Sequence, residues 1–214
     1  MLDLYEISNN NPLLAILRNI PKEKILKTVE ALYLGGVKFV EIAMNSKDAE
    51  EEISLVSRRF GDSIYIGAGT AINVPIAKAA LSAGAQFLLA PSTDRDVLEF
   101  AEREKIAMLP GVLTPSDVSL SVSYGFKTLK LFPAGDMPKS YVKSLKGPFD
   151  DTNYIAIGGV NAENAAEFIK CGSIGVGIGS AIFPKGALAE ERYSDISASV
   201  LNLIKKLKDV KESL

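Results

Sequence analysis

A closed (β/α)8 barrel, the TIM barrel, is the fold class that this 214-residue chain predicts. Three observations predict it. Short apolar runs of strand length recur eight times, and each is followed by a stretch with helical periodicity. No linker, low-complexity stretch or shift in composition divides the chain, so residues 1–214 read as one domain. Strict strand-then-helix alternation demands a parallel sheet, and a single barrel of roughly 200 to 250 residues is within the usual range. An open doubly wound sheet is the alternative. It usually has fewer strands at this length, and the glycine fingerprint expected after its first strand is replaced by Arg18-Asn19-Ile20-Pro21.

The first strand spans 13–18, where Leu14, Ile16 and Arg18 share one face; Pro21 then precedes a helix over 23–34 that stops at Gly35. The second, 37–43, puts Val37, Phe39 and Glu41 on one face and leads into a helix over 49–60. The third, 64–70, aligns Ile66, Ala68 and Thr70, and its helix over 74–83 closes at Gly84. Strand 86–90 with helix 94–104 makes the fourth unit. Strand 106–109 with helix 115–124, opened by Pro115 and closed by Gly125, makes the fifth. The sixth strand, 126–132, carries Phe126, Thr128 and Lys130 on one face and Leu129 and Leu131 on the other, and a helix over 139–145 follows. Strand 153–157 with helix 162–170, stopped by Gly172, and strand 174–179 with a last helix near 194–210 complete the eight.

Composition excludes several function classes. Twenty-four basic against 26 acidic residues leave a net charge of -2, so nothing broad attracts nucleic acid or an anionic membrane, and any anionic ligand must be held by local groups. No apolar run reaches membrane-spanning length, and Met1 to Glu6 lacks a basic region followed by an apolar stretch, so the expected compartment is the cytoplasm. The one cysteine, Cys171, fits a reducing environment and a packing role. The chain has no histidine, which removes Ser-His-Asp and Cys-His pairs, imidazole acids and bases, and His-rich metal sites. Lysine and carboxylates must carry the chemistry. No tight group of Asp and Glu at strand ends favours a metal, and none is expected.

Lys130 is the anomaly around which a site assembles. An ammonium group is out of place in a strand covered on both faces; burial lowers its pKa and supplies the neutral amine that a Schiff base requires. A lysine whose head reaches solvent is the bland alternative. The C-terminal strand ends of a barrel carry its active site, and reading them in order gives Arg18, Glu41, Thr70, Pro91, Lys130, Gly158-Gly159 and Gly179-Ser180. These ends converge in space. Lys130 would condense with a 2-oxo group, Arg18 and Thr70 would hold a carboxylate, and Glu41 would shuttle protons, which together make an aldolase mechanism. The glycine-rich ends Gly158-Gly159 and Gly179-Ser180 stand where barrel loops commonly bind phosphate through backbone N–H groups, and Asn161 can cap the helix behind them.

Ala15-Ile16-Leu17-Arg18, Gly67-Ala68-Gly69-Thr70, Leu109-Pro110-Gly111-Val112, Leu129-Lys130-Leu131-Phe132-Pro133-Ala134 and Gly158-Gly159-Val160-Asn161 resemble the KDPG/KHG aldolase family over about residues 12–185. The resemblance implies that Lys130 forms the Schiff base and Glu41 is the proton shuttle. It further implies that Arg18 and Thr70 contact the carboxylate, Pro91 and Phe132 wall the pocket, and Gly158, Gly159 and Ser180 bind phosphate. It also implies a phosphorylated 2-oxo acid as substrate, a homotrimer, no metal and no organic cofactor. Two positions bear on substrate choice. Many phosphogluconate-type members carry a second arginine four residues after the glutamate, where this chain has Asn45, and often a threonine before the glycine pair, where it has Ile157. Both departures resemble the phosphogalactonate branch. The two substrates differ in configuration at C4, so the phosphogalactonate is preferred and the phosphogluconate is its rival. Other readings are a 4-hydroxy-2-oxoglutarate aldolase of the same family, a phosphosugar isomerase or epimerase on the same barrel, and a barrel that only binds a phosphorylated acid.

Overall fold

The computed structural model describes residues 2–214, and its sheet runs β1 Leu13–Leu17, β2 Phe39–Ala43, β3 Tyr65–Gly69, β4 Phe87–Leu89, β5 Met108–Leu109, β6 Gly111–Val112, β7 Thr128–Leu131, β8 Asn153–Ile157 and β9 Gly175–Ile178. Every pairing is parallel, in the order β5-β4-β3-β2-β1-β9-β8-β7-β6. The two edges of that order are consecutive pieces of chain separated by Pro110 alone. Proline has no N–H for a ladder, so the fifth strand breaks there. Its carbonyl still accepts from Lys130 N at 2.9 Å, and Ala90 N reaches Leu109 O at 3.3 Å, which closes the ring. The expected fifth strand over 106–109 thus ends too early: it resumes past the proline.

The helices are α1 Leu4–Asn10, α2 Ile25–Leu34, α3 Ala49–Phe60, α4 Val74–Ser82, α5 Arg95–Arg103, α6 Pro115–Ser123, α7 Tyr141–Lys146, α8 Ala165–Lys170 and α9 Tyr193–Glu212. Eight of them follow strands as the periodicity predicts. The first was not anticipated. Asp3 starts it by accepting from Tyr5 N and Glu6 N at 3.0 and 3.1 Å, a side-chain N-cap that satisfies two orphan donors. Its Leu4 and Ile7 join the barrel interior.

Alternation along the strands sorts residues into two cores. Leu13, Ala15, Leu17, Val40, Ile42, Leu129 and Leu131 face outward under the helices. Leu14, Ile16, Phe39, Phe87, Leu89, Ile155 and Ile157 fill the interior, with the Phe39 and Phe87 rings 4.8 Å apart between centroids. Truncating Phe87, which is wholly buried, is expected to cost about 3–5 kcal/mol. Val37 was expected inward with Phe39; it lies before β2 begins and packs in the outer core. No described helix is long and apolar enough to cross a membrane.

Candidate active site

β7 delivers Lys130 to the interior beside Gly111 of β6 and Ile155 of β8, and leaves it 5% exposed. Glu41 projects inward from β2, between Ile16 and Gly67 in the ladder, and is 1% exposed. Both line one cavity of about 580 Å³ with Arg18, Thr70, Pro91, Phe132, Ile157, Gly158, Gly159, Gly179 and Ser180. The Lys130 Nζ stands 5.0 Å from the centroid of the Phe132 ring, two residues on along the same face. Of the residues singled out from sequence, Asn45 alone is outside the lining. It is exposed at the rim, where its Oδ1 accepts from the Thr70 hydroxyl at 3.5 Å.

Thr70 reaches the cavity by a different route from the one expected. Simple alternation would carry it inward with Ile66 and Ala68, yet those two pack in the outer core. Thr70 has φ +61°, a left-handed conformation that ends the strand's alternation and turns the residue toward the mouth. A β-branched residue in that region is unusual, costs roughly 1–3 kcal/mol, and is the kind of strain that clusters at functional sites.

The inward positions of β3 are instead the glycines that sequence reading had passed over. A Cβ on Gly67 would lie 2.2 Å from the Phe87 ring, and one on Gly69 would lie 1.6 Å from Glu41 Oε1. The absence of side chains there is what lets the glutamate fold into the interior. The signal was present in Gly67-Ala68-Gly69, since glycine within a strand often marks a close approach. Asn19 was also missed. It lines the cavity with φ +53° while its N–H donates to the buried Ser46 hydroxyl at 2.9 Å, tying the loop after β1 to the loop after β2.

Burial decides the electrostatics. Loss of water pushes the Lys130 ammonium below its ordinary value; the Glu41 carboxylate opposes that shift and the Arg18 guanidinium reinforces it. Burial likewise lifts Glu41 above the usual carboxylate range, against the pull of Lys130 and Arg18. Glu41 Oε2 is buried with no hydrogen-bond partner, and no ion pair within 4.0 Å joins it to Lys130. Burial thus disfavours the charged form of both groups, and the two line one cavity.

In the loop after β8, Gly158 and Gly159 adopt φ +87° and +69°, conformations that favour glycine. A Cβ on Gly158 would come within 2.9 Å of the Phe132 ring, so the loop lies directly on the wall beside Lys130. Ser180 opens a short 3-10 turn, Ser180–Ile182, after β9. The cavity therefore combines buried titratable groups and a guanidinium with two backbone-rich loops, a lining that suits an acid carrying a second anionic group.

Comparison with known proteins matches this arrangement. The family model described as "KDPG and KHG aldolase" matches residues 4–199. The chain is 32% identical to 2-dehydro-3-deoxy-6-phosphogalactonate aldolase of Escherichia coli (strain K12), over 88% of this chain and 93% of that protein. It is 30% identical to 2-dehydro-3-deoxy-phosphogluconate aldolase of Dickeya dadantii (strain 3937), over 82% and 83%. Among solved structures, KDPG aldolase from Legionella pneumophila, with pyruvate captured at low pH as a covalent carbinolamine intermediate, superposes with a TM-score of 0.87 at 26% identity, covering 94% of this chain and 98% of that one.

Proposed function

This chain belongs to the KDPG and KHG aldolase family, and from that membership we propose that it cleaves a 2-dehydro-3-deoxy-6-phospho sugar acid to pyruvate and glyceraldehyde 3-phosphate. One observation carries the reading: a buried, depressed lysine and a buried, elevated glutamate share one cavity with two glycine loops. The neutral Lys130 amine attacks C2 of the substrate, and the carbinolamine loses water to give an iminium. Arg18 and the Thr70 hydroxyl hold the C1 carboxylate. Glu41 takes the proton of the C4 hydroxyl, the C3–C4 bonding pair moves into the iminium, and the aldehyde departs. The enamine left on Lys130 then takes a proton at C3 from Glu41, and water releases pyruvate and the free amine. Pro91 and Phe132 form the wall, and the loops at Gly158-Gly159 and Gly179-Ser180 receive the phosphate.

The phosphogalactonate epimer is the preferred substrate in this reading. Asn45, at the rim beside Thr70, stands at the sequence position where many phosphogluconate-type members carry a second arginine, Ile157 contributes an apolar wall before the glycine pair, and the Escherichia coli relative is named for that epimer. The enzyme acts as a homotrimer in the cytoplasm. Pyruvate release from each C4 epimer, followed by a coupled assay, tests the assignment. A higher kcat/KM for the galactonate is expected, and equal values for both would remove Asn45 and Ile157 from the account. Analytical ultracentrifugation at three times the chain mass checks the trimer; a monomer under assay conditions contradicts it.

A further inference from the structure

The loop after β8 is held from both sides by groups outside the cavity. On one side Gly135 N donates to Gly158 O at 2.7 Å, and the two chain segments approach so closely that a Cβ on Gly135 would lie 2.7 Å from Gly159 Cα. On the other side Asn164 uses both ends of its amide: Nδ2 donates to Gly159 O at 2.9 Å, and Oδ1 accepts from Asn161 N at 2.9 Å. Only one orientation of the amide serves both partners, because a backbone N–H can only donate and a carbonyl only accept. Asn161 closes the knot by accepting from Glu163 N and Asn164 N at 2.9 and 3.0 Å. Both glycine carbonyls are thus tied back, while the Gly159 and Val160 N–H groups, on the cavity lining, have no acceptor among the described residues.

We infer that Asn164, which does not line the cavity, is a positioning residue that shapes this loop for a phosphate. Its donor arm fixes the Gly159 carbonyl and its acceptor arm fixes Asn161, so the Val160 N–H in the Gly159–Val160 peptide plane is set in place before substrate arrives, while Gly135 holds the peptide that carries the Gly159 N–H. Preorganised donors cost no rearrangement when the anion binds, which is where the gain arises. The inference rests on the reading of the glycine end as the phosphate site. It adds that phosphate affinity depends on a side chain that never touches the substrate, and that the dependence is specific to phosphorylated substrates.

Asn164→Ala and Asn164→Asp, assayed on the sugar acid with and without its phosphate, separate the possibilities. Aspartate keeps the acceptor for Asn161 N and loses the donor to Gly159 O. Both variants are expected to raise KM for the phosphorylated substrate about tenfold, with kcat within about twofold of wild type, the scale of one lost hydrogen bond to a charge-binding loop. kcat/KM for the unphosphorylated acid and borohydride trapping of pyruvate are expected to stay at wild-type levels. Wild-type behaviour of Asn164→Asp alone would reduce the residue to a helix cap and overturn the inference. So would equal losses on both substrates and in trapping, which mark a general structural role. A wild-type enzyme that does not discriminate between the two acids would instead overturn the phosphate site itself, and the inference with it.

Discussion

Replacing Gly69 with alanine probes the site through a position that carries no chemistry of its own. A Cβ there would sit 1.6 Å from Glu41 Oε1 and 2.2 Å from its Cδ, where contacts below 3.0 Å are essentially never seen. The carboxylate must therefore move by at least 1.4 Å, the difference between 3.0 and 1.6 Å. Gly69 is a strand residue without positive φ, so alanine meets no backbone penalty, and loss of glycine alone would stabilise by roughly 0.4–1 kcal/mol. Misplacing a catalytic group by about 1 Å can cost on the order of a hundredfold. The expected result is a kcat lowered about a hundredfold, with pyruvate still trapped on Lys130 and the Tm within about 4 °C of wild type, since 1 kcal/mol corresponds to about 2–4 °C at this size. Steady-state pyruvate release, borohydride trapping and thermal melting measure the three. A kcat within about threefold of wild type would refute the placement of Glu41 as proton carrier, because that group would have been displaced without consequence. A joint collapse of trapping and Tm would show that the overlap disrupts the barrel instead.

Glu41→Gln should keep Schiff-base formation while turnover falls by about a hundredfold or more, and equal losses in both steps would point to folding. Arg18→Ala should raise the pyruvate concentration needed for half-maximal trapping by at least about tenfold, the scale of a charge-assisted hydrogen bond. It should also shift trapping to higher pH, because removing a cation beside Lys130 lets its pKa rise. An unchanged trapping curve would free Arg18 from the carboxylate. Lys130→Met should stabilise the protein at neutral pH, by about 1 kcal/mol or more. The folded-state pKa of Lys130 lies below its ordinary 10.5, so the unfolded chain binds the extra proton; the penalty is full below the folded value and vanishes as pH rises through 10.5. The Tm gain should therefore shrink between neutral pH and pH 10.5, and a gain that grows over that range would contradict a depressed lysine.

What sequence could convey here depended on whether the backbone stayed regular. Where it did, apolar period placed Leu14 and Ile16 inward, Leu129 and Leu131 outward, and so brought Arg18, Glu41 and Lys130 to one mouth. Where it did not, the reading failed for a local reason. Thr70 reached the cavity through a left-handed turn that alternation cannot encode, so the expected company of Ile66 and Ala68 was wrong although the residue is in place. Pro110 hid the second half of the fifth strand, because two-residue segments on either side of a proline carry no readable period. The α1 helix was legible only as Asp3 followed by Leu4 and Ile7, too short for its periodicity to register. Gly69 signals a close approach without naming Glu41 as the partner, and Asn164 carries no signal at all, because the space one leaves and the two hydrogen bonds the other makes are set by a distant chain segment or by loop shape.

The central claim is that Lys130 is the nucleophile, and borohydride reduction in the presence of pyruvate reaches it directly. Peptide mass analysis should find the reduced pyruvate adduct on Lys130, formed progressively faster as pH rises through a pKa below the ordinary lysine value of 10.5, and absent from Lys130→Met. A protein that releases pyruvate from substrate yet shows no adduct, or carries it on another lysine, would contradict the account.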